Sequence, residues 1–206
     1  MRRYRVGILG YGFIGRVHAW AHANLRFHYS LPFETEIVRV ATSRPETAKR
    51  AAAELGAEWT VESTDITEAD DIDVVHICTP NNLHHAALLE AIGAGKHIYC
   101  DKPLVVSVDE AASIRRAAET SRARAKNAPA FGMTFHNRFF PATMHAHRLV
   151  EQGFLGTPLS YRAAYLHSGN ASPDAPLKWK LSAQAGGGVV RDLAAHALDL
   201  VSWLLG

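Results

Sequence analysis

The chain contains an aspartate and a histidine four residues apart, Asp192 and His196 in GGGVVRDLAAHALDLVSWLLG. On a helix that spacing puts a carboxylate and an imidazole on one face, and an imidazole near neutrality can take a proton from a hydroxyl. Periodicity alone describes a solvated stripe equally well, since Asp199 three residues on extends the same face, while Leu193, Ala197, Leu200 and Leu204 form a neighbouring apolar one. A second group lies near the other end, where Gly10-Tyr11-Gly12-Phe13-Ile14-Gly15 follows the apolar run RYRVGIL and opens a helical pattern. In a strand-to-helix turn, Gly10 makes the bend, Gly12 lets the backbone approach a pyrophosphate, and Gly15 lets helix and strand pack closely. The helix N-terminus then faces the phosphate charge.

A ribose-binding acid is expected at the end of the second strand of such a fold, because it accepts from both ribose hydroxyls and repels a 2′-phosphate. The chain instead reads Ala41-Thr42-Ser43-Arg44, and the hydroxyl and guanidinium of Ser43 and Arg44 suit a phosphate monoester. This favours NADP over NAD. His18 and His22 have the i,i+4 spacing of metal ligands, but no HExxH pattern or third ligand accompanies them, and no metal is expected.

The positioning elements follow from alternating periods. RYRVGILG, EIVRVAT, DVVHICTP, KHIYCDKP and PAFGMTFHN read as strands. IGRVHAWAHANL, PETAKRAAAEL, HHAALLEAIGAG and SVDEAASIRRAAETSRA read as the helices between them, with SRARAKNAPA closing in a loop. Strands separated by such helices imply a doubly wound α/β fold, a parallel sheet covered on both faces. A length of 206 residues with 48% hydrophobic side chains is enough for a substantial core. The near balance of 22 basic and 20 acidic residues predicts neither nucleic acid nor an anionic membrane as partner. Cys78 and Cys100 lie in strand-like runs without CxxC spacing, as buried thiols in a reducing cytosol would. Glycines interrupt the apolar run after MRRYR and no cleavage site follows, so no export signal is read and a cytoplasmic protein is expected.

Three more segments fall in order behind the glycine turn: Cys78-Thr79-Pro80-Asn81-Asn82-Leu83-His84, Asp101-Lys102-Pro103, and GGGVVRDLAAHALDL. With Phe135-His136-Asn137-Arg138-Phe139, Pro141 and Gly153-Phe154-Leu155-Gly156, they make the chain resemble the glucose-fructose oxidoreductase and inositol dehydrogenase family, Gfo/Idh/MocA. The resemblance implies a Rossmann domain over 1–127, followed over 128–206 by the last Rossmann strand and the start of an α+β substrate and oligomerisation domain. It implies a dehydrogenase moving hydride between a nicotinamide cofactor and a sugar, polyol or related hydroxy or carbonyl compound, and a possible homo-oligomer. Thr79, Pro80, Asn81, His84, Asp101, Lys102 and Arg138 match cofactor-side positions, beside Gly10, Gly12, Phe13, Ile14, Gly15, Ser43 and Arg44 of the turn and second strand. Asp101 stands where the family has glutamate. Lys102, Asp192 and His196 match the catalytic set: His196 as base, Lys102 steadying the alkoxide, Asp192 orienting hydroxyls. Asp199 keeps a structural reading.

Family members are longer, so the second domain is expected to be incomplete, with PLSYRAAYLHS supplying one strand of its sheet. The alternatives are a catalytically silent dinucleotide-binding or regulatory module, a remnant of such an enzyme, or glycoside cleavage through transient oxidation.

Overall fold

The computed structural model describes residues 1–206 apart from 170, 171, 173, 175 and 177. Its contacts divide the chain into two compact units, Met1–Met133 and Thr134–Gly206.

The first unit begins β1 (Arg2–Leu9), α1 (Phe13–His28), β2 (Phe33–Ala41) and α2 (Pro45–Leu55). It continues through β3 (Glu58–Thr60), α3 (Thr64–Thr67), β4 (Val74–Ile77), α4 (His84–Gly93), β5 (His97–Asp101) and α5 (Val108–Arg124) to β6 (Phe131–Thr134). The sheet order is β3-β2-β1-β4-β5-β6, with β1 parallel to β2 and β4, β2 to β3, and β4 to β5. This is the doubly wound Rossmann order, in which the chain reverses direction across the sheet between β1 and β4.

Alternate residues of β1 explain why both faces are covered. Val6 and Ile8 pack with Val40 against Ala19, Ala51 and Ala52 of α1 and α2, while Leu9 joins Val75, Ile77, Leu88, Ile92 and Ile114 on the opposite face. Gly7 also faces that side, where a Cβ would come within 2.7 Å of Ile66. A strand buried on both faces reads as a continuous apolar run, which is what VGIL and DVVHI are. The helices begin and end where local chemistry dictates. The Ser107 hydroxyl accepts from the Glu110 amide at 3.2 Å, and the Glu110 carboxylate accepts in return from the Val106 amide at 2.9 Å, a reciprocal cap at the start of α5. Gly56, at φ 66°, closes α2.

The second unit carries a 3-10 turn at His136–Phe139, α6 (Pro141–Glu151), a 3-10 turn at Trp179–Leu181, a π-helical turn at Val190–Ala194, and α7 (Ala195–Leu205). Two expectations need correction here. The strand read across PAFGMTFHN stops at Thr134 and gives way to the 3-10 turn. PLSYRAAYLHS forms no strand: residues 158–168 lie outside any ladder, because a strand without a neighbour leaves its amides and carbonyls unpaired. Among the described residues no helix is long and apolar enough to cross a membrane.

Candidate cofactor turn and candidate catalytic helix

Each glycine of the first turn meets a different constraint. Gly10 has φ +87°, and a Cβ there would lie 2.5 Å from the Cys78 carbonyl oxygen at the end of the adjacent strand β4. A Cβ on Gly15 would lie 2.1 Å from the Gly10 carbonyl oxygen, so α1 can approach its own turn only with hydrogen at that position. Gly12 is the informative one, because a Cβ there would meet nothing within 4 Å. Packing does not ask for glycine at this point, which leaves an open face on which a ligand can reach the backbone. No side chain caps the first turn of α1 and no acid lies in it, so its amides are presented to an incoming anion.

At the end of β2, Ser43 and Arg44 are both exposed. Thr42 and Thr47 turn their hydroxyls onto the Arg44 carbonyl, at 3.0 and 2.9 Å, fixing the backbone from which the Arg44 side chain projects. The third cofactor-side stretch follows β4. Thr79 and Pro80 are half-buried and Asn81 is buried in a 3-10 turn, Asn81–Leu83, that leads into α4. His84 has no exposed surface. Its Nδ1 faces the Pro103 carbonyl at 2.9 Å and its Nε2 the Thr79 carbonyl at 3.0 Å, so one ring joins the Thr79–Asn81 turn to the Asp101-Lys102-Pro103 turn. The structure thus gives His84 a bracing place behind these turns. Asp101 and Lys102 are half-buried at the end of β5. Burial, reinforced by the Asp101 charge, pushes the Cys78 and Cys100 thiols well above their usual range, which keeps them protonated.

In the second unit the glycine run makes a close approach. A Cβ on Gly187 would lie 2.3 Å from the Lys180 carbonyl oxygen, and the Gly188 amide donates to that oxygen at 2.8 Å. The run therefore draws the Trp179–Leu181 turn against the start of the π-helical turn, and Lys180 Nζ lies 3.1 Å from Asp192 Oδ1. Asp192 is inside the wide turn and His196 in the first turn of α7, so the pair is not carried by a regular α-helix, as the spacing had suggested. π-turns of this kind cost regular hydrogen bonding and occur often at functional sites. His196 is 5% exposed, held among rings: Phe135 edge-on at 6.0 Å, His136 edge-on at 5.0 Å and Tyr165 stacked at 6.0 Å.

Asp199 is not part of a solvated stripe. Its side chain is 6% exposed and paired with Arg138 through both carboxylate oxygens. Sequence reasoning missed the ring cage around His196 and the contact of Lys180 with Asp192. Both depend on chain reversals whose course no local period encodes, although His136 lies in a segment already singled out. His18 and His22 also acquire an unforeseen neighbour, His76 on β4. Among the described residues no group of three or more histidine, cysteine or acidic side chains has the geometry to hold a metal ion.

Sheet order, glycine turn and open helix N-terminus define a dinucleotide-binding protein of the Rossmann class. Residues 4–127 match the model of an oxidoreductase family with an NAD-binding Rossmann fold, and residues 143–206 match a GFO/IDH/MocA C-terminal domain; the chain belongs to the Gfo/Idh/MocA oxidoreductase family. It is 35% identical to levoglucosan dehydrogenase of Pseudarthrobacter phenanthrenivorans over all of this chain and 52% of that protein. It is 29% identical to the NADP(+)-dependent scyllo-inositol 2-dehydrogenase of Bacillus subtilis, covering 98% of this chain and 52% of that one. A solved structure of levoglucosan dehydrogenase with NADH and levoglucosan superposes with a TM-score of 0.92 at 33% identity, covering 100% of this chain and 55% of the other. The chain spans about half the length of the curated relatives it matches.

Proposed function

We propose that this chain serves an NAD(P)-dependent dehydrogenase that transfers hydride between the nicotinamide and a sugar, polyol or related hydroxy or carbonyl compound. The observation that carries the reading is Gly12, an open backbone position at the uncapped start of α1. Its neighbours fit a dinucleotide: Phe13 is exposed and Ile14 half-buried at the start of α1, and the uncapped amides there suit a pyrophosphate. Ser43 and Arg44 are assigned to the 2′-phosphate of NADP, Thr79, Pro80, Asn81, Asp101 and Lys102 to the nicotinamide half, and His84 to bracing that half from behind. Relatives of this chain act on levoglucosan and inositol by name, which supports a cyclic polyhydroxy substrate.

When bound, the nicotinamide supplies or accepts the hydride. The chain's own residues handle the proton and the hydroxyls. His196, buried among rings that fix its orientation, takes the hydroxyl proton as general base. Lys102 steadies negative charge developing on the oxygen, and Asp192 accepts hydrogen bonds from neighbouring hydroxyls. In reverse, the same groups reduce a carbonyl.

The test is a fluorescence titration of the 206-residue chain with NADPH and NADH, followed by turnover on levoglucosan and inositols. Saturable binding favouring NADPH is expected. Equal or tighter NADH binding would reject the 2′-phosphate assignment alone, whereas a folded chain that binds neither would reject the whole reading. Lys102→Ala is expected to lower turnover far more than cofactor affinity.

A further inference from the structure

Within the second unit, the charged pair Arg138–Asp199 sits beside the proposed base without belonging to it. Arg138 Nε donates to Asp199 Oδ2 at 2.7 Å, and Arg138 Nη2 donates to Asp199 Oδ1. The arrangement is bidentate, so it fixes orientation as well as distance. Asp199 lies three residues beyond His196 on α7 and shares its helix face. Arg138 lies on the same short segment as Phe135 and His136, the two rings whose faces and edges meet the His196 imidazole. One ion pair therefore spans the two elements that together form most of the cage around His196.

Further contacts hold the guanidinium itself. It lies 5.7 Å from the Phe135 ring centre and 5.9 Å from that of Trp203, and Trp203 stacks on His147 of α6 at 4.1 Å. The pair raises the Arg138 pKa, chiefly through the Asp199 hydrogen bond. Ordinary helix packing needs no such pair, since α7 already offers an apolar face; a nearly buried carboxylate is a costly way to add adhesion. A bidentate charge pair does supply a single fixed rotation of one element against the other.

We propose that Arg138 and Asp199 are positioning residues that set the orientation of the His196 imidazole. This rests on the reading of His196 as the base. The pair acts through the 135–138 segment and touches no reacting atom.

The test reads the ring directly. In the wild-type chain the His196 carbon-bound ring protons are shifted by the Phe135, His136 and Tyr165 ring currents. Asp199→Asn and Arg138→Gln are expected to move these resonances toward the values of an exposed histidine while leaving the spectrum of residues 1–133 unchanged, and the exchanged pair Arg138→Asp with Asp199→Arg is expected to restore them in part. Turnover should fall on the order of 10- to 100-fold in both single variants, and in Asp199→Asn, which keeps the cofactor-side Arg138, the KM for cofactor should be unchanged. Unmoved His196 resonances in both single variants would overturn the proposal. So would loss of all structure in the second unit in both of them and in Asp199→Glu, which keeps the charge and displaces it by one methylene, because the pair would then be holding the unit together. Resonances that move in a chain that never turns over a polyol would leave the clamp standing and reject the dehydrogenase reading.

Discussion

The Nδ1 atoms of His18 on α1 and His76 on β4 stand 2.8 Å apart, both rings buried. The contact is one link in a line: His76 Nε2 lies 3.1 Å from His22 Nε2, and His22 Nδ1 lies 2.9 Å from the Thr35 hydroxyl. Tyr99 packs against His18 and His76, and the Cys78 thiol lies 3.4 Å from His18 Nδ1. Donor accounting selects one set of neutral tautomers. If His18 Nδ1–H donates to His76, His76 Nε2–H to His22 and His22 Nδ1–H to Thr35, every N–H is used and only a lone pair on His18 Nε2 has no partner. The opposite direction would bury an unsatisfied N–H at that atom, which costs more.

A proton added to this line has no good place to go, so acid should unfold the first unit. Burial, then the neighbouring His22, lowers the His18 pKa to about 4; burial likewise lowers those of His22 and His76, His76 the further. The unfolded chain takes up these protons near pH 6.5 and the folded chain at lower pH, well below it for His18 and His76, so the contribution is complete above about 6.5 and is lost as pH falls toward 4. For His18 alone the loss is about 3 kcal/mol. Urea unfolding between pH 7 and 4.5 checks this; a midpoint that does not move would remove the cluster from the account of acid sensitivity.

Gly12→Ala and Gly15→Ala should separate folding from binding. The first places a methyl in open space and should cost at most about 1 kcal/mol, from its N-cap position, yet abolish dinucleotide binding. The second drives a methyl into the Gly10 carbonyl and should lower stability by several times that, with binding lost as a consequence. Denaturation and NADPH titration of the two proteins give the comparison, and a Gly12→Ala chain with full affinity would refute a ligand at that face.

Arg44→Ala is expected to weaken NADPH binding by about 10- to 100-fold, as loss of a charge-assisted contact to a phosphate should, and to leave NADH binding within about twofold. Parallel titrations decide it. Equal loss for both cofactors would mean that Arg44 supports the turn instead of reading the 2′-phosphate.

His84→Phe keeps the ring volume and removes the atoms facing Thr79 and Pro103. Two partly buried carbonyls would lose a donor position between them, at a cost of about 1–3 kcal/mol, and the two turns should loosen together. Thermal unfolding should show the destabilisation, and a raised Kd for either cofactor should accompany it. An unchanged Kd would mean that the turns are set without this ring.

The first unit was legible because its signals are local. Buried parallel strands read as VGIL and DVVHI, the PETAKRAAAEL helix runs over Pro45–Leu55 as expected, and Ser107 caps the following helix of α5. Glu58–Thr60 and Thr64–Thr67 were missed, since three- and four-residue elements hold no full period. The second unit was less legible for a different reason. Neither the burial of Asp199 nor the contact of Lys180 with Asp192 can be read from spacing, because each is decided by a segment arriving from elsewhere in the chain. Likewise His18 and His22 announced their shared helix face, but only the sheet order could bring His76 to it.

The π-helical turn at Val190–Ala194 makes the angle between Asp192 and His196 a matter of counting. Successive residues of an α-helix advance by about 100°, and a wide turn holds one residue more than the regular ladder would. Deleting one residue between Asp192 and His196 would regularise the helix and leave the two three residues apart in place of four. The carboxylate would then meet the imidazole at a changed angle, with neither side chain substituted. Here the backbone acts as a phase setting, and chain length within one turn is as specific a determinant as the identity of the two residues it orients.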